Sequence, residues 1–176
     1  YKFTEATTIN VSGEGAKGMN FAKGTAVDAT GKTLTVNVTE ASKGNAGISQ
    51  DVDVNSTIKA DKLVIKLDSE KSGKGAQAIR QYNGNLTIDG KLDITANGDN
   101  NTIGVYNQGN VVVNGDVKLD IEGNNGGYQY YGATGLYATS AMGNSKGGTI
   151  TVNGDVDFQG NANGIWANAG GAVVDV

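Results

Sequence analysis

No cysteine, histidine or proline occurs among the 176 residues, and there is one tryptophan, Trp166, and one arginine, Arg80. Without cysteine there are no disulfides and no thiolate metal sites. Without histidine or cysteine, Ser-His-Asp and Cys-His nucleophilic systems are excluded, and histidine metal centres with them. Long apolar runs are missing too. Hydrophobic residues stand singly or in alternation, far short of the roughly 18 to 20 that span a bilayer as a helix, so no direct membrane insertion by this segment is expected. Neither the nonapeptide pattern of calcium-binding β-rolls nor a glycine-rich phosphate loop with a following Lys-Ser/Thr is present. The expectation is no metal and no cofactor. Basic charge is scarce in the second half: residues 1–91 carry 12 basic and 10 acidic side chains, residues 92–176 carry 2 and 8. Such a surface repels phosphate backbones, which argues against nucleic acid as a partner.

What the chain has instead is 28 glycines and 20 asparagines, the composition of frequent tight turns between short strands. A short apolar segment, usually preceded by glycine, recurs with anchors at Met19, Ile48, Ile79, Val105, Leu136 and Ile165, spaced by 29, 31, 26, 31 and 29 residues. Helix-pair repeats of that period would show amphipathic 3.6-residue patterning, and none is seen. Each anchor is followed by an alternating strand, a polar turn and a second alternating strand, as in LTIDGKLDI, VVVNGDVKLDI and ITVNGDVDF. Leu86, Ile88, Leu92 and Ile94 share one face, and so do Val111, Val113, Val117, Leu119 and Ile121.

The turns Asp89-Gly90, Asn114-Gly115 and Asn153-Gly154 also suit type I′ hairpins, which would make an antiparallel meander. Equivalent residues at equivalent positions favour parallel coils with like stacked over like, Asp89, Asn114 and Asn153 forming one ladder. The expected fold is all-β, a right-handed parallel β-helix of about six rungs and a single domain over residues 1–176. Two loop insertions are expected, near 122–134 and 139–148. The chain opens in a strand, so any targeting segment is expected upstream. It also closes in a strand, GGAVVDV, with no amphipathic cap, as a piece of a longer solenoid would.

The pattern GVYNQGNVVVNGDVKLDI, repeated loosely as GIWANAGGAVVDV, resembles the passenger domains of type V autotransporter adhesins of Gram-negative bacteria. The resemblance covers most of the chain and rests on repeat style, the Gly, Asn, Thr and Val bias and the lack of cysteine. It implies a β-helix displayed at the bacterial cell surface from the outer membrane, or secreted. The implied roles are adhesion, aggregation or biofilm formation, and the implied partners are a glycan or protein on a host or bacterial surface, with homotypic self-association as a variant.

Stacking would align the position after each anchor: Asn20, Ser49, Arg80, Tyr106, Tyr137 and Trp166. These side chains are expected to point outward, giving an exposed row of rings about 4.8 Å apart with Arg80 one rung earlier. Rings pack on sugars or partner side chains while their polar edges stay wet, and the Tyr128, Tyr130 and Tyr131 loop lies between two of these rungs. Arg80, Tyr106, Tyr128, Tyr130, Tyr131, Tyr137 and Trp166 are therefore the candidate ligand-binding residues, set against the alternative that the rings only stack on one another. No catalytic residue is assigned, and the chain is read as non-catalytic. The alternative function, a polysaccharide-cleaving enzyme or depolymerase on a β-helix, needs carboxylates such as Asp116 with Asp155, or Asp120 with Asp157, brought together by stacking.

Overall fold

The computed structural model describes residues 1–40, 44–68, 76–98, 102–123, 133–140 and 146–176. Among them there is no helix. The strands are β1 (Thr7–Ser12), β2 (Lys17–Asn20), β3 (Ala26–Thr39), β4 (Ala46–Gln50), β5 (Asn55–Asp68), β6 (Gln77–Gln81), β7 (Asn85–Gly98), β8 (Ile103–Asn107), β9 (Asn110–Val113), β10 (Val117–Gly123), β11 (Thr134–Thr139), β12 (Thr149–Val152), β13 (Val156–Gly160), β14 (Asn163–Asn168) and β15 (Val173–Asp175).

One sheet stacks β1, β3, β5, β7, β9, β12 and β15 in that order, with β10 in it between β7 and β13; the other stacks β2, β4, β6, β8, β11 and β14. All pairs between these strands are parallel. The chain is a parallel β-solenoid, its six passes through the second sheet enclosing about five turns.

The antiparallel alternative fails at its turns. A type I′ hairpin needs positive φ at both central residues, and among the described non-glycine residues only Glu40 has it, so Asp89, Asn114 and Asn153 do not. In β3, β5 and β7 the chain passes the turn as one bent strand of 14 residues, absorbing differences in turn length as register shifts between Ala29 and Thr33 and between Lys59 and Lys62. Backbone bonding to the neighbouring coils continues on either side of each bend.

Alternation turns this stacking into a core. Val36, Ile65, Ile94, Leu119 and Phe158 fall in register on one side, as do Leu34, Leu63, Leu92, Val117 and Val156 beside them. The anchors Met19, Ile48, Ile79, Val105, Leu136 and Ile165 face them from the second sheet. All are buried except Val156 and Phe158, which are partly covered, and Ile165, which is exposed at the last coil. Each fully buried aliphatic side chain contributes about 1.5–3 kcal/mol.

The residue before each anchor is Gly18, Gly47, Ala78, Gly104, Gly135 or Gly164, and the pairing skips this position in every neighbouring pair. The strand bends inward there. A Cβ on Gly47 would stand 2.5 Å from Ile65 Cγ2 and 2.7 Å from the Ala78 carbonyl oxygen, which is why so small a residue recurs.

At the exposed corners, asparagines form ladders. Asn114 Nδ2 donates to Asp89 Oδ1 (2.5 Å) and Asn153 Nδ2 to Asn114 Oδ1 (2.8 Å), the ladder expected from the turn residues. A second runs through Asn85 Nδ2 to Asn55 Oδ1 (2.5 Å) and Asn110 Nδ2 to Asn85 Oδ1 (2.7 Å). Of the two expected insertions, the first sits between β10 and β11. The second is closed at its base by an antiparallel bridge between Ser140 and Gly147 and by Gly148 N–H donating to Thr139 O at 2.7 Å. Residues 124–132 and 141–145 lie outside the described residues.

Candidate functional site

The second sheet carries the row expected from the anchor spacing. Asn20, Ser49, Arg80, Tyr106, Tyr137 and Trp166 are consecutive partners in register. Neighbouring coils bring the rings together: Tyr106 and Tyr137 have centroids 5.4 Å apart and tilted by 50°, Tyr137 and Trp166 5.3 Å apart and tilted by 54°. Tyr82, in the turn after β6, meets Tyr106 edge-on at 5.6 Å and 83°, and the Arg80 guanidinium lies 5.3 Å from the Tyr82 ring centre. Each ring pair adds about 0.5–1.5 kcal/mol beyond the area it buries, so the row also stabilises the coil.

The row is not exposed along its whole length, which corrects the sequence expectation. Tyr137 is 1% exposed and Arg80 8%. Tyr137 is flanked by a ring on each side, and its hydroxyl accepts from Asn168 Nδ2 at 3.2 Å. Solvent reaches the row at Tyr82, Tyr106 and Trp166, all half-buried. The expected contributions of Tyr128, Tyr130 and Tyr131 lie outside the described residues.

Arg80 is a buried charge, and such a charge is costly unless paired. Its guanidinium donates to Gly44 O (3.2 Å), Ser49 Oγ (3.0 Å) and Asp51 Oδ2 (3.2 Å), while Lys17 Nζ reaches the same carboxylate oxygen at 3.0 Å. Partial burial pushes the Asp51 carboxyl up, but the hydrogen bond from Lys17, the charges of Arg80 and Lys17 and the Ser49 hydroxyl outweigh it and hold Asp51 below its usual value. A folded value below the unfolded one stabilises the fold above the ordinary carboxylate range, and that contribution is lost as pH falls through the folded value. Asp51→Asn should therefore melt at a lower temperature than the parent at pH 7. The two melting temperatures should converge as pH falls through the lowered Asp51 value, as circular dichroism melts would show.

Of the two carboxylate pairs considered for catalysis, stacking brings one onto neighbouring coils and sets the other out of step. Asp116 is in register with Asp155, but Lys91 Nζ donates to it at 2.9 Å and the Asp155 backbone N–H at 3.3 Å. Both bonds hold its carboxyl below the usual value, so it stays ionised instead of being poised to give a proton. Asp120 and Asp157 do not stack: Asp157 stands opposite Lys118, and Asp120 opposite Gln159.

Sequence reasoning missed Tyr82 and Asp51. Both lie three positions past an anchor, with Gln108 at the same place one coil on. The arithmetic applied to the residue directly after the anchor finds them when carried two residues further. No family model, no curated protein and no solved structure matches the chain.

Proposed function

We propose that this chain is a non-catalytic adhesive or structural module, a rigid coil displayed at the bacterial cell surface or secreted, that presents Tyr82, Tyr106 and Trp166 to a glycan or protein on a host or neighbouring cell. The observation that carries this reading is the continuous row of rings along the second sheet and the turn beside it, wet at these three positions and locked behind them by buried Tyr137 and the Arg80–Asp51 pair. Half-exposed aromatics held rigid on a sheet lose little conformational freedom on binding, which suits contact surfaces.

The test is attachment of the monomeric chain to panels of surface glycans and to whole cells, with Trp166→Ala and Tyr106→Ala run alongside and their folding checked by circular dichroism. Attachment should fall about tenfold or more in each variant, the size usual for a contact aromatic. Full attachment by both folded variants would place the contact surface elsewhere.

A further inference from the structure

Where the second sheet turns back into the first, the stacked turns leave a groove of about 280 Å³ whose walls include Asp53, Asn83, Asn85, Gln108, Asn110 and Lys146, the remainder being glycine. We infer that this groove is a saccharide-binding subsite, taking a neutral sugar ring by its hydroxyl edge. The inference rests on the adhesive reading above and narrows its ligand to a carbohydrate.

The chemistry of the walls selects the ligand. No hydrocarbon side chain lines the groove, so an apolar molecule gains nothing by entering. One carboxylate and one ammonium balance in charge, so a strongly anionic or cationic ligand finds no net attraction. The other four side chains are amides, each with two N–H donors and a carbonyl acceptor. Asn85 and Asn110 stand in register on adjacent coils and each commits one N–H to the ladder below it. Gln108 donates to the Tyr106 hydroxyl at 2.6 Å, and Asn83 to the Asp51 backbone carbonyl at 3.1 Å. Each amide in the groove is thus fixed by one donated bond, Asn85 also accepting from Asn110, and each keeps a second N–H and a carbonyl lone pair.

A sugar hydroxyl both donates and accepts, and neighbouring hydroxyls on a ring need such groups side by side. Rows of oriented amides with a carboxylate acceptor supply them. The volume lies just below the roughly 300 Å³ at which sites for drug-sized molecules begin, which fits a single ring rather than an extended ligand. The ring row borders the groove, since Tyr82 precedes Asn83 in the chain and the Tyr106 hydroxyl is held by Gln108. One saccharide can set its hydroxyls on the amides while the next places its C–H face on a tyrosine.

The test is a titration of the isotope-labelled chain with free galactose, glucose, mannose and N-acetylglucosamine, following side-chain amide resonances by NMR. At least one sugar should shift those of Asn85, Gln108 and Asn110 saturably, with a dissociation constant on the order of millimolar. Asp53 is exposed, so Asp53→Ala should leave the fold intact and weaken that sugar about tenfold, the loss expected for a hydrogen bond to a charged group. Asp53→Asn, which keeps the shape, should weaken it less. Absence of saturable shifts with all four sugars, or equal affinity in Asp53→Ala, would overturn the subsite. Trp166→Ala separates the two readings: it should lower cell attachment about tenfold or more yet leave the monosaccharide shifts unchanged. Sugar binding without attachment would retain the groove and remove the ring row.

Discussion

Ile65→Ala should lower the stability of the chain by about 2–5 kcal/mol, the cost of emptying a closed core site. Ile65 is 0% exposed and stands in register between Val36 and Ile94, within van der Waals reach of the inward bend at Gly47. A narrow coil cannot collapse around the missing atoms without breaking the register of the strands on either side, so the cavity stays open. A solenoid is held by contacts between nearest coils, so a lesion in a middle coil weakens two interfaces and one at the end weakens one. Ile9 occupies the same position in the first coil and is only partly buried. Ile9→Ala should therefore cost less than half as much in urea denaturation followed by circular dichroism. Equal costs would mean that the coils do not act as a stack.

Gly90→Ala should cost about 3 kcal/mol or more, although it adds a single methyl group. Gly90 sits at φ +141, a backbone region that L side chains rarely enter, and a Cβ built there would collide with the carbonyl oxygen of Ala60 on the preceding coil. Strain of this kind costs about 1–3 kcal/mol, and overpacking against backbone that cannot move adds about 1–3 kcal/mol more. Gly31 serves as the control. It also has positive φ, at +74, but nothing lies within 4 Å of its added Cβ. Gly31→Ala should cost only the roughly 1–2 kcal/mol of the left-handed conformation. The difference between the two variants in denaturation midpoint measures how tightly successive turns pack.

Much of this architecture is legible in the sequence because a solenoid converts spacing into contact. The alternation of Leu86, Ile88, Leu92 and Ile94 shows which face is inside, and the anchor spacing aligns Ser49, Arg80, Tyr106, Tyr137 and Trp166 as the structure has them. Alternation says which way a side chain points but not what covers it. Tyr137 points away from the core and is still buried, because coils about 4.8 Å apart leave no gap for water between rings of that size. Arg80 is drawn under cover by Asp51, three residues beyond an anchor on another coil, a pairing that no local pattern marks. Likewise Asp120 and Asp157 are two residues out of step, since stacking sets Asp157 against Lys118. The glycine before each anchor is plain in the sequence as a repeat, but its reason, the approach of Ile65 to Gly47, needs the opposite sheet.

Trp166 is the sole tryptophan of the chain and lies in the ring row, so its fluorescence reports on that row without a label. The most direct test of the adhesive reading is to titrate the folded, monomeric chain with whichever surface glycan it retains in a binding screen, following tryptophan emission. The account predicts a saturable change in emission whose midpoint matches the binding midpoint measured independently by calorimetry. Calorimetric binding with the emission unchanged would contradict it, because the ligand would then be held away from the row.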